Sequence, residues 1–201
     1  MTAVQSRVLE LAEDAQDLLF RRARTANAFA DGPVSDEQVR AIYELVKWGP
    51  TAMNGQPLRV VLVRTDEGRE RLVRHLSEGN RAKTAAAPLT AILAADTDFH
   101  EHLPTVFPHV PGAKDFFADG ERRAESARFN ALLQAGYFVL GVRAAGLAAG
   151  PMTGFDAAGV DREFFPDGRL RSLVVVNIGN PVVAEFARSP RLGYDDVVLT
   201  V

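Results

Sequence analysis

The 201-residue chain contains no cysteine. This absence excludes disulfides, thiolate nucleophiles, zinc–thiolate sites and iron–sulfur clusters, and it suits a reducing, cytoplasmic location. An excess of positive charge is also missing, because 23 Lys and Arg stand against 26 Asp and Glu, for a net charge of -3. Nucleic-acid-binding domains usually carry a basic excess. We therefore expect no nucleic-acid partner.

Uninterrupted apolar runs are scarce as well. The amino terminus carries Arg7 and Glu10 where a secretory peptide would need apolar residues, so no signal peptide is predicted. The most apolar stretch, residues 131–149, is interrupted by Gln134 and Arg143. A helix buried inside protein explains it better than a membrane span, and we expect no membrane partner.

Several common catalytic motifs do not occur: G-x-G-x-x-G, the P-loop, G-x-S-x-G and H-E-x-x-H. The one metal-like pattern is His100 and His102, followed seven residues later by His109. On an extended segment the first two would share one face, as the ligands of a metal-dependent hydrolase would. A solvated polar loop is the alternative. Because no supporting pattern surrounds the histidines, we predict no metal site.

Helical and strand patterns alternate along the chain, which predicts an α+β or α/β class and one domain over residues 1–201. Ser35 and Gln38 form a capping-box pattern that predicts a helix ending before Gly49 and Pro50. Further helices are predicted over about 8–22, 67–78 and 121–148, and strands over 58–63, 89–94 and 173–178. Residues 96–120 have no sustained period and are predicted to form a long surface excursion, often a lid or binding loop.

Three separated segments carry groups that a flavin mononucleotide (FMN) site would need. Arginines that could neutralise a phosphate occur early and late in the chain. A polar loop over 50–57 is followed by amide and ammonium side chains three residues apart on one helical face, which could meet the flavin's pyrimidine edge. The segment 150–156 has two glycines and a proline that allow close backbone approach to a planar ring. The residues of the three segments are Arg24, Arg188 and Arg191; Asn54, Gln56, Asn80 and Lys83; and Pro151, Met152, Thr153 and Gly154. Each segment also has an ordinary alternative: a solvated charge, a capped turn or a helix stop.

Taken in this order, the segments resemble the nitroreductase family of FMN enzymes, over nearly the whole chain. Within that family the sequence is most similar to the malonic semialdehyde reductase branch. The phrases that carry the closer resemblance are ARTAN (23–27), KWGPT (47–51), GNRAKT (79–84), GPMTGFD (150–156) and FARSPRL (186–192).

The resemblance implies a nitroreductase-like α+β sandwich with a mainly antiparallel central sheet, in an intertwined homodimer with two FMN sites at its interface. It implies that the phosphate is held by Arg24, Thr25 and Arg191, and that Asn54 and Gln56 line the flavin. Many members have a basic residue where Asn27 stands, an acidic one at Thr153 and a lysine near Ser189. These departures leave open whether Arg188 or Ser189 joins the phosphate site.

The resemblance further implies an NADH- or NADPH-dependent oxidoreductase in which the flavin carries the electrons and no side-chain nucleophile is needed. Its acceptor would be malonic semialdehyde, reduced to 3-hydroxypropionate, or alternatively a quinone or nitroaromatic compound. A protein that binds a flavin without turnover is the alternative from another class. The phenylalanines of the excursion (Phe99, Phe107, Phe116 and Phe117) could cover the substrate pocket or anchor the loop on the core.

Overall fold

The computed structural model describes residues 9–183 and 187–201, and its centre is a four-stranded sheet. The strands are β1 (Leu58–Val63), β2 (Leu89–Asp96), β3 (Ala148–Met152) and β4 (Leu170–Gly179). They lie in the order β1-β2-β4-β3, and each neighbouring pair is antiparallel. The predicted α+β class with a mainly antiparallel sheet is confirmed.

Helices cover both faces of this sheet. They are α1 (Glu13–Gln16), α2 (Asp36–Val46), α3 (Asp66–Arg74), α4 (Glu78–Ala85), α5 (Leu103–Val106), α6 (Gly120–Ala144), α7 (Ala157–Phe164) and α8 (Tyr194–Val197). A π-helical turn at Asp17–Arg21 continues α1, and 3-10 turns occur at Ala52–Asn54, Phe99–His102 and Ala113–Phe117. None of the helices in the described ranges is long and apolar enough to cross a membrane.

The core follows from the two-residue alternation of β2, all of which is buried. Leu89, Ala91 and Leu93 pack with α2 and α6 on one face. Ile92 and Ala94 pack with α3 and α7 on the other. The result is a helix–sheet–helix sandwich in which the central strands are covered on both sides.

Two predicted helix boundaries were correct in outline. Ser35 caps α2 through both bonds of the capping box: its hydroxyl accepts from the Gln38 amide at 3.2 Å, and its amide donates to Gln38 Oε1 at 2.9 Å. The first helix, predicted over about 8–22, is confirmed only from Glu13, because residues 9–12 are not helical and Val8 lies outside the described residues.

The helix predicted over 67–78 is wrong, because the chain forms two helices there, α3 and α4. The break between them is caused by a tertiary contact. Leu76 forms a β-bridge with Phe155, and the Ser77 amide donates to the Gly154 carbonyl at 3.0 Å. The His75 carbonyl also accepts from the Asp156 amide at 2.8 Å, so the Ser77 amide and the His75 carbonyl bond to a distant segment instead of to a continuing helix.

β3 is a strand that the sequence patterns did not predict. The last helix was predicted to run to about 148, with a helix stop as one interpretation of the segment after it, but α6 ends at Ala144 and Ala148–Met152 pairs with β4. Glycine and proline are depleted in strands, so AAGPM carries a poor strand signal. Pro151 is tolerated because β3 lies at the edge of the sheet.

The excursion, residues 96–120, is folded rather than irregular. Phe99 and Phe117 are buried and their ring centroids lie 4.9 Å apart, so these two rings anchor the excursion on the core. Phe116 is exposed. His100 and His102 lie on a 3-10 turn, so the extended geometry that would give them a shared face is absent there. In the ranges that the structure describes, no group of three His, Cys, Asp or Glu side chains could hold a metal.

Candidate active site

The segment after α1 lies along the free edge of β3. Thr25 forms a parallel bridge with Ala149, and the Ala26 amide donates to the Ala149 carbonyl at 3.0 Å. A Cβ at Gly150 would stand 2.4 Å from the Ala26 carbonyl oxygen. Glycine at this position is therefore what allows the early segment, with Arg24 and Asn27, to reach β3.

Helix α4 joins the same edge through its two predicted polar residues. Asn80 Nδ2 donates to the Gly154 carbonyl at 2.9 Å, and Lys83 Nζ donates to Asn27 Oδ1 at 3.3 Å. Asn80 and Lys83 lie on one helix, as their spacing predicted. The structure thus brings together residues from the three distant segments 24–27, 80–83 and 151–154. We call this group the β3-edge cluster.

The segment 151–154 presents mainly backbone to this cluster. The Met152 side chain is buried in the core and its sulfur lies 3.7 Å from Thr84 Oγ1. Thr153 is exposed, and Pro151 pairs with Val176 in the sheet. A Cβ at Gly154 would stand 2.7 Å from Asn80 Nδ2. Thr153 is therefore the one residue of 151–154 that is exposed.

A cleft of about 830 Å³ lies beside the cluster, and Arg24, Thr25 and Asn27 line it. Arg143 of α6 lines the same cleft; its Nη1 donates to the Leu19 carbonyl at 3.1 Å. Burial, aided by the positive charge of Arg188, lowers the pKa of Arg143 below its ordinary value. Arg22, Asp14 and Asp17 also line the cleft, and Arg22 pairs with Asp17 at 2.8 Å, so Arg24 and Arg143 are the guanidinium groups that could favour an anion there.

The structure treats the two carboxy-terminal arginines differently. Arg188 Nη2 donates to the Ala23 carbonyl at 2.6 Å, so its side chain reaches the segment that carries Arg24. Arg191 is exposed and donates to the carbonyls of Ser189 and Pro190, in its own segment. The Arg188 side chain therefore reaches the residue next to Arg24, whereas the bonds of Arg191 stay within its own segment. The phrase 186–192 begins at Phe186, which lies outside the described residues.

The polar loop of residues 51–57 is built with an unusual backbone. Met53, Asn54 and Gln56 all have positive φ, at 52°, 51° and 46°. Side-chain bonds fix this shape: Gln56 Nε2 donates to Asn54 Oδ1 at 2.9 Å, and the Gln56 amide donates to Thr51 Oγ1 at 3.2 Å. Non-glycine residues with positive φ cost roughly 1–3 kcal/mol each and often occur at functional sites.

Among the described residues, no hydrogen bond of this 51–57 loop reaches the β3-edge cluster. It leads into β1, and the Ala52 amide donates to Asn130 Oδ1 of α6 at 2.8 Å, so the loop lies on the α6 side of the sheet. The cluster includes α4, whose Thr84 contacts Asn177 and Met152 on the opposite side. β1 and β3 are the two edge strands of the sheet, about 14 Å apart at roughly 4.8 Å per spacing.

A buried carboxylate ends β2 close to the 51–57 loop. Asp96 is fully buried and accepts from Arg169 Nε and Nη2, each at 2.8 Å, and from Arg59 Nη2 at 2.6 Å. Burial alone would raise the pKa of Asp96. The hydrogen bond from Arg169, the Asp98 amide and the charge of Arg59 together hold it below its ordinary value.

Comparison with known proteins assigns the chain to a family. Residues 20–180 match the family model described as the nitroreductase family. The chain belongs to the nitroreductase family. A Streptomyces griseus protein with the provisional name NADH dehydrogenase/NAD(P)H nitroreductase is 66% identical over 189 residues, which cover 93% of this chain and 96% of that protein. The predicted family and the predicted enzyme class, an NAD(P)H oxidoreductase, are confirmed.

Solved nitroreductase structures share the fold. A nitroreductase from Bacillus subtilis superposes with a TM-score of 0.82 at 22% identity, covering 91% of this chain and 97% of its own. A nitroreductase from Exiguobacterium sibiricum, solved in complex with FMN, superposes with a TM-score of 0.81 at 17% identity, covering 94% of this chain and 98% of its own.

Sequence reasoning missed Arg143 and Ser77, which lie at this candidate site. The signal for Arg143 was present, because it is an arginine inside an otherwise apolar helix, where an unpaired charge is costly. Ser77 gave no such signal. Its role depends on its backbone amide, which donates to the Gly154 carbonyl at 3.0 Å, and a backbone donor is the same for most residue types.

Proposed function

We propose that this chain is an FMN-dependent NAD(P)H oxidoreductase that reduces a small acceptor. The observation that carries the proposal is the β3-edge cluster, in which Lys83 reaches Asn27 and Asn80 reaches Gly154. Cationic and amide donors beside closely approached backbone are the groups that a phosphorylated planar ring requires.

The donor set fits FMN residue by residue. Arg24 and Thr25 would hold the phosphate, with Arg188 beside them and Arg191 joining from the terminal segment, while Asn27 would lie next to Lys83. Asn80 and Lys83 would meet the pyrimidine edge, and the backbone of 151–154 would face the ring. Bound FMN would supply two-electron hydride chemistry. The ammonium of Lys83 would stabilise the negative charge that reduction places on the pyrimidine edge.

We further propose that the working unit is a homodimer that shares its two flavin sites. Asn54 and Gln56 lie across the sheet from the β3-edge cluster, so one protomer cannot bring both the 51–57 loop and the cluster to the same flavin. A second copy could bring its own 51–57 loop to the cluster. Exposed apolar side chains on α6 and in the terminal segment support such an interface: Phe129, Leu132 and Leu133 on α6, and Leu192, Tyr194 and Leu199 in the terminal segment.

Mixing two inactive variants tests the shared site. Lys83→Gln damages the cluster, and Asn54→Ala damages the loop. If the sites are shared, a dimer of one Lys83→Gln chain and one Asn54→Ala chain has one site with both substitutions and one site with neither. About half of the dimers in a random equal mixture are of this kind, so about a quarter of all sites regain activity. If each protomer builds its own site, every site carries one of the two substitutions and mixing restores no activity.

For the acceptor we propose malonic semialdehyde, which would be reduced to 3-hydroxypropionate. Support comes from the five sequence phrases shared with that branch of the family. A broad nitro or quinone reductase is the second candidate, favoured by the name of the Streptomyces griseus relative. Rates of NADPH and NADH oxidation with malonic semialdehyde, a quinone and a nitroaromatic compound separate them. Absence of any aldehyde-dependent rate removes the first candidate.

Residues 96–120 are proposed to border the acceptor pocket. Asn54 Nδ2 donates to the Val106 carbonyl at 2.8 Å, which ties this excursion to the 51–57 loop. Phe116, 53% exposed, is the ring most available to an acceptor, since Phe99 and Phe117 are buried. Phe116→Ala should change the KM for the acceptor more than the rate of flavin reduction.

The visible absorbance of the purified protein, and its response to NADPH or NADH, distinguish catalysis from simple flavin binding. A yellow protein whose visible absorbance is bleached by anaerobic NADPH or NADH, and restored by the acceptor, supports the proposal. A flavin that is bound but not bleached by either nicotinamide supports a non-catalytic flavin-binding protein. Failure to carry or take up FMN at all rejects both.

A further inference from the structure

The conformation of the 51–57 loop depends on a charge network that lies beneath it. Three positive-φ residues in four positions will relax unless neighbouring groups hold them. Gly55 sits so close to the buried ring of Phe99 that a Cβ there would stand 2.9 Å from ring carbons. The loop therefore packs closely against the excursion at Gly55.

One guanidinium fixes the end nearest to β1. Arg59 Nη1 donates to the carbonyls of Gln56 at 2.9 Å and Leu58 at 3.0 Å. Its Nη2 meets the buried carboxylate of Asp96 at 2.6 Å. Because Asp96 is the last residue of β2 and fully buried, Arg59 connects the strained loop to the rigid centre of the sheet.

We propose that Arg59 is a positioning residue for the flavin: anchored by Asp96, it holds Gln56 and the left-handed turn of Met53 and Asn54 in the conformation that the flavin meets. This inference rests on the proposed function. It adds a residue that lies outside the predicted cofactor set and acts through the Gln56 carbonyl.

Arg169 offers a matched control. It also pairs with Asp96, through two bonds of 2.8 Å, and its side chain is comparably exposed, at 42% against 32% for Arg59. Its amide and side chain bond to Asp167, Asp96 and His102, and its carbonyl accepts from Thr97; none of its bonds among the described residues goes to the loop. Arg59→Gln and Arg169→Gln each remove one positive partner of Asp96, but only the first removes a loop contact.

Two measurements on these variants test the inference. In the FMN-loaded protein, Arg59→Gln should raise the dissociation constant of FMN roughly tenfold, the loss of a charge-assisted hydrogen bond, while Arg169→Gln leaves it within about twofold. In the protein stripped of FMN, hydrogen exchange over 51–58 should accelerate in Arg59→Gln and not in Arg169→Gln. Both variants should lower the thermal midpoint to a similar extent.

Hydrogen exchange and FMN affinity distinguish the ways in which the positioning inference could fail. Unchanged exchange over 51–58 in Arg59→Gln overturns the positioning role whether or not the protein binds FMN. Equal loss of affinity in both variants also overturns it, because affinity would then follow general stability. If exchange accelerates as expected but the wild-type protein takes up no FMN, the loop anchor stands as structure, while the proposed function and the link to a flavin both fail.

Discussion

A single hydroxyl beneath the β3-edge cluster should control how firmly α4 is attached to the sheet. Thr84, Thr90 and Asn177 are all fully buried. Asn177 Nδ2 donates to Thr84 Oγ1 at 2.9 Å, and Thr90 Oγ1 donates to Asn177 Oδ1 at 2.9 Å. Thr84→Val keeps the shape of the side chain but removes the acceptor, which leaves a buried amide hydrogen of Asn177 without that partner.

The size of the effect follows from the burial. An unsatisfied buried donor costs about 1–3 kcal/mol, because water cannot replace the lost partner. In a chain of 201 residues each kcal/mol corresponds to roughly 2–4 °C in the thermal midpoint. A loss of about 2 kcal/mol therefore predicts a decrease of roughly 4–8 °C.

Urea unfolding followed by circular dichroism measures this loss directly. The protein concentration must be matched between samples, since dimerisation would make stability depend on it. Thr105→Val is the control, because Thr105 is exposed and should change stability by less than about 0.5 kcal/mol. If Thr84→Val is as stable as this control, the buried network does not stabilise the fold as reasoned.

Three further changes have expected outcomes. Because the folded state holds the pKa of Asp96 below its ordinary value, its ionised carboxylate stabilises the fold fully above the unfolded pKa of about 4, and this stabilisation disappears as the pH falls through the folded pKa. Arg169→Gln removes a positive partner and so raises the folded pKa, and acid unfolding, followed by fluorescence, should move to higher pH. Lys83→Gln should slow anaerobic flavin reduction by roughly a hundredfold in rapid mixing while the fold is kept; an unchanged rate removes its proposed role. Gly49→Ala should destabilise by about 1–3 kcal/mol in thermal melts, since its Cβ would stand 2.2 Å from the Tyr137 ring; a neutral result would mean that the ring moves aside.

Local patterns predicted the elements whose signals are local. The β-branched run of β1 and the capping box of α2 depend on neighbouring residues, and both were recovered within a few positions. β3 was not predicted because Gly150 and Pro151 oppose a strand locally. Its pairing with β4 and with Thr25 is decided by tertiary contacts instead.

The candidate site also depends partly on local sequence signals and partly on tertiary contacts. Lys83 and Asn27 were each identified by type, but their meeting at 3.3 Å required the break between α3 and α4, which a bond from Ser77 to Gly154 imposes. Local sequence therefore indicates which side chains suit a flavin, while long-range contacts decide where they meet.

The 51–57 loop bears on the proposed arrangement of two copies of the chain. Its side chains, Asn54 and Gln56, suit a flavin as well as Asn80 and Lys83 do, yet the fold places the two groups at opposite edges and on opposite faces of one sheet. A strained loop conformation held by Arg59 and Asp96 would serve no purpose at a surface that met only solvent, because the strain lowers stability. The loop's shape is best explained if it is preorganised for a ligand or a partner, and the proposed homodimer would supply one by bringing the β3-edge cluster of a second copy to it.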